Sequence, residues 1–431
     1  MSLFRYSLDP ISLEVQCGDG ARARLLVCAL AFVAVHVVAV VPAVAQEPEP
    51  TTRAEVLERD REAKSQALTP PVMGRAERTL LALENTRFFE RLLAPPEGYY
   101  PRIGQITSGS GFTVAPAYRR PRVFGEQGVI TAFAALSYKK YWMLDAKLEL
   151  PELADGRVFS DVHGRMFEFP SEQFYGIGPA SLRGEEAVYG IRSSQVGAAG
   201  GVRPVSWLSL GTALDWLTPS VGSGDGGPSI DEVFEPSTIP GLEAQPDFLR
   251  WELSADINTR QPRGNPRRGG QYKAMLLRVD DLDLQQYSFS RVDVDLQQYI
   301  PLLNERRVVA LRAAASTSDV DAGQEVPFYL LRTLGGPDDL RGFRRFRFRD
   351  EHSILLQAEY RWEIFTAVDG AIFYDAGKVA SRYEDLNLKD LESDYGIGFR
   401  FGTRNGVFLR VEGAFGSSGG KHFILRFGNV F

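Results

Sequence analysis

The strongest constraint in this sequence is a two-residue rhythm that sets in near Tyr100 and continues to the end of the chain. Leu249, Trp251, Leu253, Ala255 and Ile257 alternate with Arg250, Glu252, Ser254, Asp256 and Asn258. Val292, Val294 and Leu296 alternate with Asp293, Asp295 and Gln297, and Ile354, Leu356, Ala358, Tyr360 and Trp362 with Leu355, Gln357, Glu359, Arg361 and Glu363. Successive side chains of a strand point to opposite faces, so each stretch has one apolar wall and one polar wall.

Segments of this kind fall at Tyr100–Thr107, Gly111–Arg119, Gly128–Tyr138, Lys140–Leu150, Arg157–Phe169, Ala187–Arg203, Ser206–Leu217 and Phe248–Asn258. They continue at Gly270–Asp281, Ser288–Gln298, Arg306–Ser316, His352–Glu363, Asp369–Ala376, Tyr395–Gly402, Val407–Phe415 and His422–Phe431, sixteen in all. Their lengths cluster near the ~9–11 residues with which a tilted strand crosses a bilayer. Long connections (Pro170–Glu186, Thr218–Asp247, Thr317–Glu351, Gly377–Asp394) all follow odd-numbered strands. Connections after even-numbered strands are short turns, Thr259–Gly269 being the longest. Long loops on one side and short turns on the other predict a sixteen-stranded antiparallel transmembrane β-barrel of outer-membrane type, all-β over residues 100–431. The competing architecture, an exported soluble sandwich, would have to bury every apolar face against another and gives no reason for the parity. A barrel in lipid buries those faces and closes every edge. Trp142, Trp207, Trp216, Trp251 and Trp362 suit its interfacial girdles. The N-terminus is then periplasmic, and the membrane lipid is the first expected partner.

The chain ahead of the barrel reads differently. Leu25–Val41 is apolar, follows Arg22 and Arg24, and precedes Pro42 and Ala43-Val44-Ala45, the pattern of a leader over residues 1–45 cut before Gln46. Both cysteines, Cys17 and Cys28, fall within it, so disulfides, thiol catalysis and thiolate metal sites are not expected. Residues 46–99 are charged and helix-prone, with Arg75–Leu93 amphipathic through Leu80, Leu83, Phe88 and Leu92: a short periplasmic helical or linker segment.

Nothing in the barrel sequence supports an enzyme or a cofactor. His163, His352 and His422 lie in separate strands without ligand spacing, and no nucleophile elbow occurs. Asp280, Asp281 and Asp283 lack the glycine and distal glutamate of a calcium hand and read as a solvated rim. Gly416–Lys421 is too short for a phosphate loop. A formal charge of −6 offers nucleic acid nothing.

The chemistry is concentrated in Leu334–Phe348. Gly335, Gly336 and Pro337 break regular structure, and Arg341, Arg344, Arg345, Arg347 and Arg349 then interleave with Phe343, Phe346 and Phe348. So cationic and aromatic a stretch suits a loop folded into a wet, acidic cavity, where guanidinium groups pair with carboxylates and rings pack on the walls. Alternation puts Glu359 on the polar wall with Gln357 and Arg361, and Asp375 is expected on the same side.

Gly335-Gly336 followed by Leu340-Arg341-Gly342-Phe343 resembles the signature inward loop of the BamA/TamA-type outer-membrane assembly barrels, the bacterial surface antigen family. Ala358-Glu359-Tyr360-Arg361, Phe373-Tyr374-Asp375-Ala376-Gly377 and Phe174-Tyr175-Gly176-Ile177-Gly178 are similar to further family segments. The resemblance implies sixteen strands and an inward loop, residues 317–351, after the eleventh. In it Arg341, with Gly342 and Phe343, would contact Glu359 and Asp375. It also implies that Phe423, Leu425, Phe427 and Phe431 form the C-terminal signal by which barrels are handed to the assembly machinery. Its functional implication is assistance in the insertion or translocation of proteins at the outer membrane, with unfolded outer-membrane or secreted proteins and other assembly subunits as partners. The alternatives are a passive pore or structural barrel, and an accessory subunit of a repeat-bearing barrel. Residues 46–99 are shorter and more helical than the periplasmic repeats with which family members receive their substrates.

Overall fold

The computed structural model describes residues 12–15 and 97–426 except 108, 126, 366, 404 and 405. The helices expected before the barrel, most of the leader, and Phe427 and Phe431 of the C-terminal signal lie outside the described residues.

Sixteen long strands follow one another: β1 (Gly98–Gly104), β2 (Thr113–Val123), β3 (Gly128–Leu136), β4 (Trp142–Leu153), β5 (Val158–Phe174), β6 (Ala187–Val205), β7 (Leu208–Ser223) and β8 (Phe248–Asn258). Then come β9 (Gly269–Asp281), β10 (Phe289–Leu302), β11 (Arg307–Val320), β12 (His352–Phe365), β13 (Val368–Ala380), β14 (Glu392–Thr403), β15 (Gly406–Gly416) and β16 (Gly420–Arg426). Each lies antiparallel to the next in one sheet. A four-residue strand, Ser12–Val15, also runs antiparallel along β16. The first strand begins two residues before its predicted start and ends at Gly104, because residues 105–112 turn back on the Ser110 hydroxyl, which accepts from the backbone N–H groups of Ile106 and Thr107. Strands next to long loops run past the predicted ends: β5 continues from Phe169 to Phe174 and β7 from Leu217 to Ser223.

The alternation decides which wall meets what. Val196, Leu214, Trp216, Trp251, Leu253, Tyr272 and Leu296 are exposed, whereas Gln195, Asp215, Gln271 and Gln297, each next to one of them, are buried. Exposing that much grease to water would forgo about 25 cal/mol for each Å² of apolar surface, so the outer wall belongs in lipid.

The mouth on the long-loop side is filled by an apolar cluster. Phe167, Phe169, Tyr189 and Phe248 from the strands pack there with Ile230 and Ile239 of the loop after β7 and with Val326, Phe328 and Tyr329 of the loop after β11. On the other side the turn after β8 folds inward. The Arg267 guanidinium donates to Asp369 at the start of β13 (2.6 Å), Arg260 reaches Gln297 of β10, and Asn265 is buried.

Within the loop after β11, Arg332–Leu334 pairs with Phe348–Asp350 in a short antiparallel ladder. The chain turns out of it through Gly335 and Gly336 at φ +113° and +102°, a region that side chains avoid; a Cβ on Gly335 would also lie 2.3 Å from the Arg344 carbonyl oxygen.

Candidate functional site

Residues 337–347 form the tip of this loop, and Arg341 is its centre. Its Nε and Nη2 donate to the two carboxylate oxygens of Asp375 on β13 at 2.7 and 2.8 Å, a bidentate pair. Its Nη1 lies 3.4 Å from Glu359 on β12 and 3.5 Å from Glu412 on β15, and its guanidinium sits over the Phe373 ring, 3.3 Å from the centroid. The side chains of Arg341 and all three acids are completely buried. Burial opposes the guanidinium charge, but Asp375, Glu412 and Glu359 outweigh it and its pKa lies above the ordinary arginine value. At a buried site such a cation is tolerable only with its partners in place; removing one strands a charge at ~3–5 kcal/mol.

The carboxylates are in turn held by the wall. Arg361 donates to Glu359 (2.9 Å), Arg400 of β14 also pairs with Glu359, and Arg410 donates to Glu412 (3.2 Å). Gln357 donates to Asp375 (3.1 Å) and to the Asp339 carbonyl of the loop (2.7 Å). Arg426 of β16 pairs with Asp338 of the loop. The tip is therefore tied to β12, β13, β15 and β16, the last part of the sheet.

Arg341, Glu359 and Asp375, singled out from the sequence, come together here. Gly342 allows the approach: a Cβ on it would stand 2.5 Å from the Asp394 Cβ and 2.5 Å from the Gly416 nitrogen. Phe343 is buried against Phe348 and over Gly419. Phe423 points outward and Leu425 is half-buried, away from the site. Sequence reasoning passed over Glu412, Arg400, Arg410 and Arg426, although the same parity marks them: each is flanked by apolar or glycine residues such as Phe399 and Phe401 or Val411 and Gly413.

The other loop arginines reach toward the outer mouth. Arg344 pairs with Glu186, and Arg347 donates to the Ser181 hydroxyl and carbonyl (2.9 and 2.7 Å) while lying over Tyr175. Arg349 donates to the Phe328 carbonyl (2.8 Å) among the rings of Phe174, Tyr189, Phe328 and Phe346. The Gly178 N–H donates to the Arg349 carbonyl (2.8 Å), so the Phe174–Gly178 segment is a neighbour of the inward loop. Asp281, read as part of a solvated rim, is instead buried and accepts four backbone N–H groups of its own turn. No cluster of metal-ligating side chains occurs among the described residues.

Comparison with known proteins agrees with this geometry. Residues 209–417, which include Arg341, Glu359, Asp375 and Glu412, match the Omp85 superfamily domain. The fold is similar to that of BamA from Haemophilus ducreyi lacking POTRA domains 1–3 (TM-score 0.56, 14% identity, 80% of this chain and 77% of that one). It is also similar to that of CdiB from Escherichia coli (TM-score 0.50, 11% identity, 77% of this chain and 63% of that one). Among curated proteins no sequence matches.

Proposed function

We propose that this chain, which carries an Omp85 superfamily domain over residues 209–417 and shares its fold with BamA, is an outer-membrane assembly barrel of the BamA/TamA type that assists the insertion or translocation of proteins. The observation that carries the reading is the Arg341 site. A charged loop is held inside the lumen by strands β12, β13 and β15, beside the last strand, rather than left in solvent. On this reading Arg341, Gly342, Phe343, Glu359 and Asp375 anchor the loop, Gly335 and Gly336 shape its entry, and Phe423, Leu425, Phe427 and Phe431 form the assembly signal. Residues 1–45 are a leader whose removal takes Ser12–Val15 off the edge of β16, residues 46–99 and the short turns are periplasmic, and the long loops face outward.

The working part is the seam between first and last strands. β1 has only seven residues, so a seam formed between it and β16 would hold few ladder hydrogen bonds and cost little to open. Substrate polypeptides and other assembly subunits are the partners this predicts. Depleting the protein should lower the amounts of particular proteins in the outer-membrane proteome, and Arg341→Ala, at normal barrel abundance, should reproduce the loss. A disulfide engineered across β1 and β16 should abolish activity until reduced. A cross-linked barrel that worked fully would end the seam mechanism, and an unchanged proteome would end the assembly role. A constitutively open, solute-selective conductance in planar bilayers, with no assembly defect, would establish the passive-pore reading instead.

A further inference from the structure

Two successive connections, on opposite sides of the sheet, differ in charge. The loop after β7, residues 224–247, holds Asp225, Asp231, Glu232, Glu235, Glu243 and Asp247 and no lysine or arginine. The turn after β8, residues 259–268, holds Arg260, Arg263, Arg267 and Arg268 and no acid. Exposed arginines recur around the short-turn rim at Arg120, Arg122, Arg157, Arg306 and Arg307. The rim also exposes Glu152, Asp155, Glu305 and Glu363, and some arginines are satisfied within the protein, Arg122 by Glu97 (2.9 Å) and Arg268 by Glu305 (3.5 Å).

The same turns present apolar side chains where a water-facing turn would not. Phe124 is 70% exposed at φ +53° and Leu303 66% exposed at φ +46°. A bulky residue in the left-handed region is unfavourable, and glycine or asparagine would take that turn at lower cost. A large apolar side chain there is favourable only if its surroundings are not water. Trp207, 47% exposed, occupies the two-residue turn between β6 and β7. Beside it the Arg263 guanidinium donates to the Ser206 carbonyl (3.3 Å), and the Arg203 backbone N–H donates to the Arg157 carbonyl (2.6 Å). Arg157 and Arg263 are both exposed. An aromatic ring at headgroup depth flanked by exposed guanidinium groups suits the boundary of a bilayer whose headgroups carry negative charge. An acidic protein would complement the charge but would leave Phe124 and Leu303 in water.

We propose that the short-turn rim is a docking surface for anionic phospholipid headgroups, with Arg157, Arg263 and Trp207 forming one seat. Placing those lipids in the periplasmic leaflet rests on the orientation proposed above; the lipid preference itself does not. The planar guanidinium donates in pairs to phosphate oxygens, while Trp207, Phe124 and Leu303 sit among the upper acyl carbons.

The full chain would be reconstituted in vesicles with Trp207 as the sole tryptophan, the other four replaced by phenylalanine, and quenched with brominated phosphatidylglycerol or brominated phosphatidylcholine. The expected result is stronger quenching by phosphatidylglycerol, about five-fold in relative association for each arginine engaged. The preference should fall toward one in Arg157→Gln/Arg263→Gln and at high salt. Equal quenching by the two lipids, or a preference unchanged in the double variant, would overturn the proposal. If the four-fold tryptophan replacement does not fold, spin-labelled phosphatidylglycerol and phosphatidylcholine competing for the unmodified barrel and for Arg157→Gln/Arg263→Gln read the same ratio. Because both leaflets of such vesicles are alike, an inverted orientation would leave this result intact and would show separately in protease accessibility of the long loops in cells.

Discussion

Gly342 and Gly416 are packed backbone to backbone: a Cβ on Gly416 would fall 2.3 Å from the Gly342 carbonyl oxygen, and one on Gly342 would fall 2.6 Å from the Gly416 Cα. The tip of a loop that leaves the sheet after β11 thus touches the turn that joins the last two strands. Gly419 closes the same contact, its Cβ position lying 2.1 Å from the Gly342 carbonyl. No flexible side chain end is available to yield, so the fit tolerates only hydrogen at these positions.

Substituting Gly342→Ala or Gly416→Ala should therefore lift the tip from the strands, at ~1–3 kcal/mol of overpacking. Gly222→Ala, where a Cβ would meet nothing within 4 Å, is the matched control and should be near neutral. Urea midpoints of the three variants in detergent micelles decide the matter; equal midpoints for Gly342→Ala and Gly222→Ala would mean that the contact is not tight.

Arg341→Ala leaves Asp375, Glu359 and Glu412 buried around an empty place and should cost ~3–5 kcal/mol. Arg341→Lys should recover less than half of it, since an ammonium cannot meet both Asp375 oxygens in one plane. Denaturation midpoints, together with trypsin cleavage inside residues 337–347, measure the loss. A lysine variant as stable as the parent would show that charge alone holds the loop.

Glu412→Gln tests the partner that alternation marks but no motif includes. Arg341, Arg400 and Arg410 all lie within 4 Å of Glu412, so neutralising it unbalances several cations together. Its effect should be non-additive with Arg341→Ala, with a coupling of ~0.5–3 kcal/mol in a double-mutant cycle. Strict additivity would place Glu412 outside the network.

Arg267→Ala removes the ion pair that draws the turn after β8 toward Asp369. Residues 259–268 should become sensitive to protease from the short-turn side, while the Arg341 loop stays protected. The arginine-rich turn offers trypsin several sites, so the cleavage rate before and after the change gives the answer.

Local periodicity carried a great deal of this molecule. Strand β8 coincides with the segment marked by Leu249 to Ile257, because a wall between lipid and water leaves its period in the sequence. The parity of loop lengths and the cationic, aromatic loop were equally legible. The tertiary structure alone decided what lies across the sheet. That Glu412 joins Asp375 and Glu359, that the glycines of the last hairpin receive Gly342, and that the turn after β8 folds inward to Asp369 follow from strand register and from the curvature that brings distant strands to face one interior. Alternation states which side a residue faces; only the curved arrangement of strands states whom it meets there.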